Sequence, residues 1–275
     1  MRRDEVLRAL EQVGRQSDEA IDLAEAALLL AALDEPEADL TPYRRHLAEL
    51  AADLADIALL AGDSLDARAA ALHQIMADKH DYAGDRRNYD DLQNASLMRV
   101  IDRRRGLPVA LGILYLHTAR AQGWRAAGIN FPGHFLIALE DEEERVILDP
   151  FEGGAQIDLP RLQTMLRAAM GANAELQPEY CASMTNRGVL LRLQNNIKKR
   201  VRDAGEHRRA ALVMEGMLAI APEIPDLWRE AAEIRTELGE LRSALQALDR
   251  FLLLSDDSQR SEAMALRRNL ATKIN

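Results

Sequence analysis

The sequence predicts an α+β protein, mostly helical, with one small antiparallel sheet set between two all-helical stretches. Three observations lead there. Apolar residues recur at helical spacing over residues 1–78 and again from about residue 190 onward. Short, partly alternating runs of strand type occur only between Arg125 and Leu148. Ala and Leu dominate a chain with only 4% aromatic residues, a composition that favours helix.

In order along the chain, Val6, Leu7, Leu10 and Val13 mark a first helix, and a second covers residues 18–33, ahead of Glu35-Pro36. Thr41-Pro42 reads as an N-cap followed by proline at the first helical position. The helix it opens, over 43–61, carries Leu47, Leu50, Leu54 and Ile57 on one face. Ser64 caps another over 65–77. Residues 79–93 show no clean period and are expected as an ordered loop. A short helix over 95–104 leads to Gly106, and Pro108 begins a longer one that Gly123 ends near residue 122. Strands are expected over 125–131, 134–139 and 145–148, split by Pro132-Gly133 and by the acidic turn 140–144. Asp158-Leu159-Pro160 starts a further helix that runs to residue 169.

The tail repeats itself. Gly205-Glu206 is matched by Gly239-Glu240, Ala210 by Ala244, Met214 by Leu248 and Met217-Leu218 by Phe251-Leu252, each 34 residues apart. That is the tetratricopeptide period. Pro222 ends the first unit, Ala232 takes a small-residue position where paired helices approach, and Trp228 is expected to lock two helices together. About two units are expected over 190–273, the last helix acting as a cap.

Composition excludes several classes. A formal charge of −10 argues against a general binder of nucleic-acid backbone, which needs a basic surface. The local basic run Arg103-Arg104-Arg105 is read as cations complementing a helix C-terminus. One cysteine, Cys181, rules out an intrachain disulfide framework and a multi-cysteine zinc site. The start lacks the apolar segment of a secretory signal, and the longest apolar run, Ala26 to Leu33, is far short of the ~20 residues that span a bilayer. A cytoplasmic protein is expected. His73 and His80 lack metal-pair spacing, His117 is read as a packed or surface residue, and Gly153-Gly154 is too short for a phosphate loop. Neither a metal nor a cofactor is expected.

The chemistry-bearing stretch is 105–154. A cysteine nucleophile is activated at a helix N-terminus beside a histidine whose tautomer a carboxylate fixes. Here Gly106-Leu107-Pro108, the helix from 108, His134 and Asp149-Pro150 follow in the order of such a core. The strand opening on His134 and the strand closing on Asp149 are expected to bring the two together as a cross-strand pair. Where the thiol belongs stands Pro108, which has no thiol, hydroxyl or amide hydrogen. Leu107, Val109, Ala110 and Leu111 around it are equally inert, and Cys181 is read as a small packing residue rather than a nucleophile.

Asn88-Tyr89-Asp90, the DRRRGLP run at 102–108, INFPGHF at 129–135 and ILDPFEGG at 147–154 resemble the SirB-like proteins across nearly the whole chain. The resemblance implies a papain/transglutaminase-like core of the second type followed by tetratricopeptide-like helices. Members commonly lack the cysteine, keep the histidine and aspartate, and are described as regulators. They usually carry a small polar residue soon after Gly-x-Pro; Val109-Ala110-Leu111 departs from that.

These readings give three expected parts: 1–85 as helices packed on the core, 86–185 as the core and 186–275 as the repeats. The expected site holds His134 and Asp149, with Asn88, Arg105, Gly106, Pro108, Asn130 and Gly133 around them. The expected function is non-catalytic: a regulator or scaffold that binds another protein or peptide, with no direct nucleic-acid or membrane partner. The alternative is an acyl-transfer or amide-hydrolysing enzyme that uses His134 and Asp149 with an unrecognised nucleophile or an activated water.

Overall fold

Ten buried positions of one helix organise the core of the larger part of the chain. In the computed structural model, which describes residues 1–62 and 64–274, α6 (Pro108–Arg120) has every residue from Val109 to Leu116 buried, as are Thr118 and Ala119. A helix apolar all round must be covered all round. Around it lie α3 (Thr41–Ala61), α4 (Leu65–His73) and the antiparallel sheet β3-β4-β5-β6: Arg125–Ile129, Leu136–Glu140, Arg145–Asp149 and Ala155–Gln156. A Cβ at Gly112 would lie 2.3 Å from the Phe135 ring, so glycine is what lets α6 sit this close to the sheet. Leu136 and Ala138 point to the other sheet face, where α7 (Leu159–Met170) supplies Leu162, Met165 and Leu166.

The expected elements need several corrections. The second helix begins late, as α2 (Leu23–Asp34), because Asp18–Ala20 forms a separate 3₁₀ turn and Asp22 Oδ1 accepts from Ala24 and Glu25 N–H. Thr41 is already the first residue of α3, with Leu40 at the cap position. Ser64 does cap α4, accepting from Ala67 N–H at 3.2 Å. That helix does not run on in α form to 77: it widens into a π-helix over Gln74–Lys79. The expected loop 79–93 holds a two-residue strand, β1 (Ala83–Gly84), paired in parallel with β2 (Arg105–Gly106), on which α5 (Leu97–Arg103) ends. Strand β3 stops at Ile129 rather than 131 and β4 starts at Leu136 rather than 134. The ladder cannot continue into a turn built on Pro132 and on Gly133 at φ +75°.

Two compact units form. The larger is Ser17–Ala31 with Asp39–Leu193; the smaller is Met1–Gln16, Ala32–Ala38 and Gln194–Asn275. In the smaller unit α1 (Arg3–Arg15) packs on α9 (His207–Ile220). A Cβ at Gly14 would fall 2.1 Å from the Ala219 carbonyl oxygen, so the first helix joins the tail through a contact only glycine allows.

The repeat is legible residue by residue. Gly205 and Gly239 take φ +73° and +74°, and each carbonyl accepts at 3.0 Å, from His207 and Leu241 N–H respectively. These turns launch α9 and α11 (Leu241–Leu254); Ala210 and Ala244 are both 0% exposed. Between them lies α10 (Pro225–Glu237), and α8 (Asn186–Asp203) and α12 (Asp257–Ile274) flank the pair. Trp228 is half-buried, its indole N–H donating to the Pro222 carbonyl at 2.7 Å, and Arg250 stacks 5.6 Å from its ring.

Candidate functional site

The start of α6 is held from below. Leu107 N–H donates to the Asn94 carbonyl at 2.8 Å, and a Cβ at Gly106 would be 2.8 Å from the Val100 side chain, so Gly106 sits in close contact with α5. Leu107 occupies the cap position with no side-chain bond to offer, and Pro108 follows at the head of the helix, half-buried. The flanking Leu107, Val109, Ala110 and Leu111 are buried. No atom at this helix start can attack a carbonyl.

Asp149 closes β5 and is 4% exposed. Its Oδ1 accepts the Phe151 N–H at 2.9 Å, and its own carbonyl accepts the Gly154 N–H at 2.8 Å, shaping the Pro150–Gly154 turn. Burial pushes the Asp149 carboxyl above its usual range; the Phe151 amide and the nearby His134 pull it back down without cancelling the effect.

His134 is half-buried and lies in the turn before β4, not on the strand, its N–H donating to the Phe131 carbonyl at 2.9 Å. The register pairs Ile137 with Leu148, and one step on it sets Leu136 level with Asp149. The direct cross-strand pair expected of His134 and Asp149 is therefore not made: His134 is two residues past that level. Among the described residues no hydrogen bond joins the imidazole to the carboxyl, though His134 is close enough for its charge to be felt there.

The remaining expected residues divide in two. Asn130 and Gly133 belong to the His134 turn, and both are exposed. Asn88 is exposed on a loop whose backbone is fixed by Asp85 and Asn94; its N–H donates to Asp85 at 3.0 Å and its carbonyl accepts from Asn94 at 2.7 Å. Arg105 is spent on Asp81, with a carboxylate contact at 3.2 Å. The basic run does end α5, with Arg103 in its last turn and Arg104 at its cap, and the side chains reach further: Arg103 pairs with Asp85 at 2.9 Å and Arg104 with His46 at 2.7 Å. All three cations act as tertiary cross-links.

Sequence reasoning missed four residues here. Arg192 of α8 donates to the Asn130 side chain and to the His134 carbonyl. Tyr89 meets Phe151 edge-to-face at 5.9 Å and adds to the electrostatic surroundings of Arg192. Tyr115, wholly buried, has a hydroxyl with no hydrogen-bond partner among the described residues, and the Asp149 charge raises its pKa further beyond what burial does. Its ring touches Gly154, where a Cβ would lie 2.7 Å away. Tyr115 stands two helical turns after Pro108, so its place on that face was available from spacing alone. Arg192 carried no such signal. Gly154 also borders a cavity of about 400 Å³ shared with His73, Gln74, Asp78 and Gln156.

Among the described residues no three His, Cys, Asp or Glu side chains converge as metal ligands, and no helix is long and apolar enough to cross a membrane.

The profile of the transglutaminase-like superfamily matches residues 41–195, and a tetratricopeptide repeat profile matches residues 197–269. The UPF0162 protein of Vibrio cholerae is 31% identical over 221 residues, 80% of this chain and 81% of that one. The UPF0162 protein of Xylella fastidiosa strain Temecula1 is 29% identical over 245 residues, covering 86% of this chain and 85% of that one. Human F-box only protein 21 is 33% identical over 82 residues, 30% of this chain and 13% of that protein. No solved structure matches.

Proposed function

The chain belongs to the transglutaminase-like superfamily, and from that premise we propose that it works by binding another protein or peptide inside the cell, as a regulator or scaffold, without acyl transfer. The observation that carries this reading is Pro108 at the head of α6, where the attacking sulfur would stand. Proline can neither attack nor donate a hydrogen bond to an oxyanion. The lone thiol does not substitute for it. Cys181 is packed beside the α7 face of the sheet, and burial pushes its thiol pKa up, away from the thiolate that a nucleophile needs.

Tetratricopeptide-like helices support a partner of protein nature, because stacked helical pairs present extended surfaces for peptides and helices. On the core, His134, Asn130 and the Tyr89–Phe151 step supply polar and aromatic groups on three neighbouring loops, a mixture suited to an extended peptide.

The test is direct. Purified protein is incubated with glutamine- and lysine-containing peptides, and both release of ammonia or cleavage and retention of unmodified peptide are followed. Retention without turnover is expected, weakened by His134→Ala. Turnover that His134→Ala abolishes would overturn the reading and favour hydrolysis or transfer by the His134–Asp149 pair.

A further inference from the structure

The turn that carries His134 has little of its own to hold it. Strand β3 ends at Ile129 and β4 begins at Leu136, so residues 130–135 lie outside the ladder. Phe131 and Phe135, each 1% exposed, anchor its two ends in the core. Between them Pro132 is half-buried, Gly133 is exposed in left-handed conformation, and the His134 N–H to Phe131 carbonyl bond is a local link only. The conformation of the turn is therefore left to groups outside it.

Ala169 of α7 lies against Gly133, and among the described residues one side chain reaches the turn with hydrogen bonds. Arg192, on α8, donates one terminal nitrogen to the Asn130 side-chain oxygen and the other to the His134 carbonyl, the latter at 2.9 Å. The two acceptors lie at opposite ends of the exposed part of the turn, so a single planar guanidinium closes it like a staple. Burial works against its charge, yet arginine keeps it. A lysine, with one point-like ammonium, cannot span two separated acceptors in a fixed plane.

We propose that Arg192 is the positioning residue of the candidate site: by bridging the Asn130 side chain and the His134 carbonyl it sets the conformation of the turn that carries the imidazole, and so the place of His134 beside Asp149. Its importance for binding rests on the function proposed above; its control of the turn does not.

Arg192→Lys and Asn130→Ala in the full chain test it, read by nuclear magnetic resonance of the His134 ring, by amide exchange of residues 131–135 and by thermal unfolding. In Arg192→Lys the His134 ring signals should shift and broaden, and exchange in the turn should speed up by about tenfold or more, as local opening becomes easier. Asn130→Ala, which removes one arm of the staple, should give a smaller change of the same kind without loss of folding. Unchanged ring signals and exchange in both variants, whatever happens to the melting temperature, would overturn the proposal. If the turn loosens but peptide retention is unaffected, Arg192 positions His134 as proposed and it is the binding role of His134 that fails.

Discussion

Two histidine-centred clusters in the larger unit treat buried polarity in opposite ways. Around His46, 8% exposed, every contact is made: Nδ1 to Glu49 at 2.8 Å, Nε2 to the Tyr82 hydroxyl at 2.9 Å and to Arg104 at 2.7 Å. The neighbouring His80 bonds Asp53 at 2.6 Å, and Lys79 reaches the same carboxylate at 2.8 Å. Arg104 even takes left-handed backbone, φ +59°, within this cluster. Around Asp149 the carboxyl is more deeply buried, and among the described residues its neighbour Tyr115 has an unbonded hydroxyl and His134 makes no hydrogen bond to either. A fully satisfied network fastens elements together; a partly satisfied one costs stability and persists where something other than stability is served.

Arg104 fixes the tautomers in the first cluster. It can only donate, so His46 Nε2 must accept, and Nδ1 carries the proton towards Glu49. A protonated His46 would face the guanidinium of Arg104 and the ring of His80, 5.3 Å away.

The sharpest way to break this comparison is alanine at each histidine. His46→Ala should cost on the order of 3 kcal/mol in denaturant unfolding, adding a cavity to the unpaired Tyr82 hydroxyl and Arg104 guanidinium. His134→Ala, half-buried in a surface turn, should cost about 0.5 kcal/mol or less. Equal losses would show that both histidines are structural.

Removing one hydroxyl from each cluster comes next. Tyr82→Phe strips a shared partner from His46 and Arg104 and should destabilise by about 1–3 kcal/mol. Tyr115→Phe removes a hydroxyl with no hydrogen-bond partner among the described residues and should leave stability unchanged or raise it by about 1 kcal/mol. A clear loss in Tyr115→Phe would reveal a bond that the geometry does not contain.

The smallest effects lie in pH dependence, where the two clusters should oppose each other. Burial holds His46 below its ordinary pKa of 6.5, followed in size by the opposing Glu49 bond. Below that value the unfolded chain binds the proton more readily, so its stabilisation is complete above pH 6.5 and is lost as pH falls through the folded value. Asp149 runs the other way. Its folded pKa lies above 3.8, so the folded chain holds the proton longer and stability falls as pH rises from 3.8 through the folded value. Stability-against-pH curves should flatten on the acid side in His46→Gln, while the advantage of Asp149→Asn over wild type should grow as pH rises through the Asp149 window. Parallel curves for wild type and Asp149→Asn would refute the raised carboxyl.

Much of the site was legible in the residues, but unevenly. INFPGHF and ILDPFEGG marked His134 and Asp149, and Gly106-Leu107-Pro108 marked the helix start, because each is a local event: a proline at a helix head, a glycine turn, an aspartate before proline. The strand limits at 129 and 136 were misjudged, since apolar residues run through the turn as Phe131 and Phe135 while the ladder stops short of them. Arg105 had been expected beside the site, but the Asp81 carboxylate takes it.

By itself the chain determined whatever near neighbours decide: where helices start, the 34-residue recurrence that places Gly205 and Gly239 in the same turn geometry, and the absence of an attacking group at Pro108. Tertiary structure alone decided which distant groups meet. His46 with Tyr82 and Arg104, Arg192 with Asn130 and His134, and Gly14 with the Ala219 backbone are pairings of residues dozens to hundreds of positions apart. Periodicity and capping report the backbone conformation of a single segment. The meeting of side chains depends on how segments pack, and no one segment's pattern carries that information.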